Sequence, residues 1–163
     1  MPETRASGTL EVTLPSDTEI LLRRTFDAPR HLVFEALTKP EYVRRWWCWQ
    51  PGATMPVCDI DFRVGGTYRY VTRSADGEVA FNGVFQEITP PERYVHTEVF
   101  EMFPDNPTLV TVTLEERGGK TYYSSLTAAR DKATRDLIAS SGMEVGAAAC
   151  LDLVEQIARE LRK

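Results

Sequence analysis

Two histidines and three cysteines are all this 163-residue chain offers of the side chains that most often ligate transition metals or form cross-links. Cys48, Cys58 and Cys150 are odd in number and contain no C-x-x-C pair. That argues against a disulfide framework or a zinc site and for a reducing compartment. Positive charge is also short. Nineteen Lys and Arg against 24 Asp and Glu leave a net charge of -5, the opposite of the basic stripe by which nucleic-acid binders are known. No apolar run approaches bilayer-spanning length, and no basic segment followed by an apolar one opens the chain. Neither a membrane partner nor a secretory signal is therefore expected. What remains is the composition of a soluble, globular, cytoplasmic chain, long enough for one well-buried domain.

Aromatics are present, and they are clustered. All three tryptophans fall in Arg44-Arg45-Trp46-Trp47-Cys48-Trp49, and a charged glycine turn, Asp61-Phe62-Arg63-Val64-Gly65-Gly66, follows soon after. Three such residues so close cannot share one helix face, so at least one should meet something other than ordinary core. Trp46 and Trp47 are expected inside and Trp49 outward. Arg44 and Arg45 read as a solvated face beside a buried tryptophan, and Arg63 as the partner of Asp61 or Glu87.

Periodicity supplies the elements. Residues 1–8 read as a disordered tail and 9–163 as a single domain. Leu10, Val12 and Leu14 alternate as a strand that Pro15-Ser16-Asp17 either bulges or divides before Ile20 to Phe26. Asp27-Ala28-Pro29 opens a helix with Leu32, Val33, Ala36 and Leu37 inward, and Pro40-Glu41 opens a second that Gln50-Pro51-Gly52 ends. Strands follow at 57–63, 67–73, 78–89, 94–101, 109–117 and 120–127, with Asp76-Gly77 and Gly118-Gly119 as hairpin turns. A short helix begins at Asp131, and 143–162 form a long amphipathic one. Helices segregated from a run of antiparallel strands make an α+β architecture, with the last helix across one face of a curved sheet.

The order of Phe26-Asp27-Ala28-Pro29, Leu37-Thr38-Lys39-Pro40-Glu41, Trp46-Trp47, the Asp61–Gly66 turn, Asn82-Gly83-Val84-Phe85-Gln86-Glu87-Ile88, Pro90-Pro91-Glu92-Arg93 and Ser141-Gly142-Met143 resembles the START-like (SRPBCC) superfamily. Within it the chain is similar to proteins like the activator of heat-shock-protein-ninety ATPase. The resemblance implies a helix-grip (START/Bet v-like) fold, with two short helices after the first strand and a cavity between sheet and long helix. It leaves activity open among ligand carriers, cyclases and a co-chaperone module. The chain departs from its relatives in the uniformly small run Gly146-Ala147-Ala148-Ala149-Cys150, which either packs closely on the sheet or turns missing volume into cavity.

Three functions follow. The first is a non-enzymatic domain binding a small hydrophobic or amphipathic ligand without a cofactor or metal. Its walls would be Trp46, Trp47, Phe62, Tyr68, Tyr70, Phe81, Phe85, His96, Tyr123 and Ser125, under a roof of Met143, Ala147 and Cys150. For β-strand residues 122–127, alternation alone leaves open whether Tyr123, Ser125 and Thr127 or Tyr122, Ser124 and Leu126 face inward. The second is a chaperone-regulating interaction module, implied by the resemblance alone. The third is a cyclase or aromatase, with His96, Tyr68 or Tyr70 moving protons and Glu98 orienting His96. A homodimer through an exposed sheet edge and the tryptophan segment is compatible with each.

Overall fold

The computed structural model describes residues 3–7 and 10–162. In chain order these form β1 (Glu3–Ser7), β2 (Leu10–Ser16), β3 (Glu19–Phe26), α1 (Arg30–Thr38), α2 (Pro40–Trp46), β4 (Thr54–Ile60), β5 (Thr67–Ser74), β6 (Gly77–Thr89), β7 (Arg93–Phe100), β8 (Thr108–Arg117), β9 (Lys120–Ala128), α3 (Lys132–Ala139) and α4 (Met143–Leu161). The strands make one antiparallel sheet of nine, ordered β1-β2-β3-β9-β8-β7-β6-β5-β4. Its only non-sequential neighbours are β3 and β9, because α1 and α2 carry the chain from β3 across to the far edge before the meander returns. This is the helix-grip α+β fold, with the long α4 against the sheet.

Strict alternation decides which face grips. Leu10, Val12 and Leu14 of β2, Ile20, Leu22 and Phe26 of β3, and Val110, Val112 and Leu114 of β8 are all buried on one side. Leu151, Val154, Ile157 and Ala158 of α4 meet them at helical spacing. Each large apolar side chain so buried contributes about 1.5–3 kcal/mol. Arg24 points inward from the same face of β3 and is 6% exposed. Its guanidinium pairs with Asp152 and, at 3.3 Å, with Glu155 of α4, and Glu155 also accepts from the Asp27 backbone at 2.9 Å. The middle of the long helix is thus pinned to β3.

Several boundaries differ from expectation for identifiable reasons. The tail assigned to residues 1–8 contains β1, which pairs with β2 from Glu3↔Leu14 to Ser7↔Leu10; Met1, Pro2 and Gly8 lie outside the described residues. Strand pairing uses backbone groups and satisfies the open side of β2, so a polar segment without apolar alternation serves. Pro15-Ser16-Asp17 divides two strands, β2 and β3, rather than bulging one. Pro29 caps α1 from outside, with ψ 150°, instead of filling its first position. The strand expected at 57–63 runs at Thr54–Ile60, with a register shift between Thr54 and Val57. β4 is the sheet edge, where Pro56 leaves no ladder hydrogen bond unmade.

Candidate ligand pocket

Gly83 marks where the sheet stops packing on itself. Tyr68 of β5 faces it across the ladder. A Cβ at Gly83 would lie 1.9 Å from the Thr97 carbonyl oxygen and 2.6 Å from the Tyr68 ring. Glycine therefore lets the phenol cross β6 and donate to Thr97 O on β7 at 2.8 Å. His96 Nδ1 sits 3.0 Å from that carbonyl and 3.2 Å from the Tyr68 hydroxyl. A carbonyl only accepts, and the Tyr68 proton is already committed, so Nδ1 carries the imidazole proton and Nε2 keeps a lone pair. Burial lowers the His96 pKa below its ordinary value, which keeps the ring neutral. Glu98 is not among these partners. The expectation that it orients His96 is corrected: no hydrogen bond or ion pair joins the two, and Nδ1 is engaged instead by the Thr97 carbonyl and the Tyr68 hydroxyl.

Around this relay the aromatic side chains assemble edge to face. Trp47 lies 4.8 Å from Tyr70 and 5.4 Å from Phe81 between ring centres, Tyr68 lies 5.5 Å from Phe85, and Phe62 lies 5.0 Å from Phe85. Trp46 donates its indole N–H to Ala36 O at 2.8 Å, which fixes α2 on α1. These rings enclose a pocket of about 440 Å³ between the β4–β7 end of the sheet and the first half of α4. The structure brings to its wall Trp46, Trp47, Phe62, Tyr68, Tyr70, Phe81, Phe85 and His96, together with Tyr123 and Ser125 of β9 and Met143, Ala147 and Cys150 of α4. Thr127 joins Tyr123 and Ser125, whereas Tyr122 and Ser124 border a polar depression on the other face. That resolves the open alternation on β9.

The small run on α4 is not closely packed. Met143 through Cys150 contains no fully buried residue. The nearest atoms to Gly146 are those of the Trp49 ring, about 3.5 Å from where its Cβ would stand. Trp49, expected outward, lines the pocket instead. α2 ends at Trp46, so Trp49 follows the turn toward Ala53 rather than the helix phase, and the missing side chain of Gly146 gives its ring a seat. Arg44 and Arg45 are tied to neighbours, the Met55 carbonyl at 2.6 Å and Glu160 at 2.8 Å, and Arg63 pairs with Asp61 at 2.8 Å.

The pocket's electrostatics centre on Glu98. It pairs with Thr108 of β8 in register and shares its strand face with His96. Among the described lining residues it is the one with a formal charge; no Lys or Arg joins it. Its carboxyl has no hydrogen bond or ion pair among the described residues, and its residual exposure is toward the pocket. Burial alone raises its pKa from 4.5 to about 7. The same burial pushes the phenols of Tyr68, Tyr70 and Tyr94 well up, that of Tyr123 to about 12, and the Cys150 thiol to about 12. All of these stay protonated at neutral pH, so none is an activated nucleophile. No group of three His, Cys, Asp or Glu side chains among the described residues could hold a metal ion.

A model of the family described as Activator of Hsp90 ATPase homolog 1-like protein matches residues 27–159, from the start of α1 almost to the end of α4. The chain belongs to this family. Solved structures share its fold. A protein from Rhodobacter sphaeroides is 25% identical, covering 93% of this chain and 99% of its own, with a TM-score of 0.84. A Nitrosomonas europaea protein is 22% identical over 90% and 97%, with a TM-score of 0.79. Protein Ms6760 from Mycobacterium smegmatis is 18% identical over 95% and 96%, with a TM-score of 0.80. No curated protein matches the chain. Among the described residues of this family member, no single helix is long and apolar enough to cross a membrane.

Proposed function

We propose that this domain binds a small apolar or amphipathic molecule in the pocket beneath α4 and does not transform it. The observation that carries the reading is the wall itself: about 440 Å³ bounded by aromatic rings on the sheet side and by Ala147 and Cys150 on the helix side. Ligand sites are typically clefts of roughly 300–1,000 Å³ with apolar walls and few placed polar groups. Here the polar groups are the Nε2 of a neutral His96, the Glu98 carboxyl and the hydroxyls of Tyr70, Tyr123 and Ser125. A cyclase-type reading would need a paired acid and base, and His96 and Glu98 do not bond to each other. The chaperone-regulator reading draws on the family description and on no surface feature.

Native mass spectrometry of freshly purified protein, compared with the same protein after denaturation, tests the proposal. A discrete added mass that denaturation removes is the expected result. Added mass that persists in an Ala147→Phe variant, whose ring would occupy the space, would contradict it.

A further inference from the structure

Among the described residues the pocket's single charge is a carboxylate with nothing to answer it, and that narrows the ligand class. Glu98 is half-buried, and a carboxyl in an apolar pocket is ordinarily paired or hydrogen-bonded, since leaving it alone forfeits part of its solvation. Arg24, on the same face of the same sheet, has its charge answered by Asp152 and Glu155. The charge of Glu98 is not. Glu98 stands in the cross-sheet row Tyr68–Gly83–Glu98–Thr108, beside the gap that Gly83 leaves. The Thr108 hydroxyl is spent on the Glu98 backbone carbonyl, at 3.3 Å, rather than on the carboxyl. Tyr68, Tyr70 and Tyr123 are close enough for their phenols to feel its charge, yet none donates to it.

Resting on the binding function proposed above, we infer that the pocket takes an amphipathic amine, whose ammonium pairs with Glu98 while its apolar body lies among the rings. Three features favour a cation over other head groups. Among the described residues the lining offers no Lys or Arg, so an anionic head such as a fatty-acid carboxylate would meet Glu98 with like charge and no counterion. The Nε2 of His96 is a lone-pair acceptor, a second partner for an N–H donor. Trp47, Tyr70 and Phe81 line the same pocket, and aromatic rings attract cations, tryptophan most strongly. The carboxyl left alone in the free protein is then the group that the ligand completes.

Isothermal titration of the full chain at pH 8 with three probes of one shape tests this: 2-(1-naphthyl)ethylamine, 2-(1-naphthyl)ethanol and 1-naphthylacetate. The amine should bind at least about tenfold tighter than the alcohol, as a charge-assisted hydrogen bond exceeds a neutral one, and the acetate should bind weakest. In Glu98→Gln the amine-to-alcohol ratio should fall to about one. Independently of any variant, the side-chain carboxyl ¹³C resonance of Glu98 should move on adding the amine and stay nearly still with the alcohol. Equal binding of amine and alcohol to the native protein, or a ratio unchanged in Glu98→Gln, overturns the amine assignment and leaves the pocket proposal standing. Binding of none of the three probes overturns both.

Discussion

Arg24 from β3 and Glu98 from β7 both point into the concave side of one sheet, and of these two only Arg24 is neutralised among the described residues. The difference follows from what lies over each. Above Arg24 the second half of α4 is seated by Leu151, Val154 and Ile157 and brings two carboxylates with it. Above Glu98 the first half of the same helix turns Met143, Ala147 and Cys150 to the pocket, and its small run Gly146 to Ala149 leaves the space below unfilled. One end of the sheet is therefore aliphatic, closed and charge-balanced; the other is aromatic, hollow and charge-unbalanced. The lesson is that one helix can both complete a core and roof a binding space, if its residue volumes change along its length.

Deletions should separate the two ends most strongly. Ile157→Ala, at a position 1% exposed, should lower unfolding stability by about 2–5 kcal/mol, the usual cost of a cavity in packed core. Met143→Ala, on the pocket roof, should cost less than about 1 kcal/mol, because the space it borders is already open. Urea denaturation of both variants checks this, and similar losses would mean that the hollow is structurally equivalent to the core.

Next in size is the pH dependence of Glu98. Unfolded, its carboxyl titrates near 4.5; folded, near 7. Below about pH 4.5 it is protonated in both states and costs nothing. As pH rises the unfolded form ionises first, so the native state loses stability up to about pH 7 and the loss persists above it. Glu98→Gln escapes that penalty. It should be more stable than the native chain by roughly 3 kcal/mol at pH 8, each pKa unit being worth about 1.4 kcal/mol, and show no such gain at pH 4. A gain of equal size at both pH values would contradict the unpaired state of the carboxyl.

Enlarging an alanine at each end is the finer probe. Ala158→Leu, at a position 0% exposed, should cost about 1–3 kcal/mol by overpacking. Ala147→Leu should change stability by less than about 0.5 kcal/mol, since it grows into free space, and should weaken binding of the naphthyl probes. Thermal unfolding of the pair gives the contrast directly.

The closed end was the more legible in sequence. Alternation at Leu10, Val12, Leu14 and at Val110, Val112, Leu114 names the buried face, and the spacing of Leu151, Val154 and Ala158 names the helix stripe that meets it. The aromatic end was legible in residue identity more than in arrangement. Tyr68 and Tyr70 share a face by period two, and the small run at Gly146 to Cys150 points to the missing volume. Periodicity does not say that Gly83 lets Tyr68 reach across to Thr97 and displace Glu98 from His96, because that contact joins three strands. The inward turn of Trp49 depends on the loop after α2 and on a glycine nearly a hundred residues away. The solitude of Glu98 is a property of every element around it, so no local pattern announces it.

The contrast between the ends is most directly tested by a ligand titration followed at both. With methyl-labelled protein and 2-(1-naphthyl)ethanol, the signals of Ala147, Met143 and the Trp47 and Trp49 indoles should shift together and saturably. Those of Leu114, Val154 and Ile157 should remain in place. Shifts confined to exposed side chains such as Leu137 or Val145, with Trp47 silent at saturation, would show that the aromatic end is no binding space and would contradict the function proposed for it.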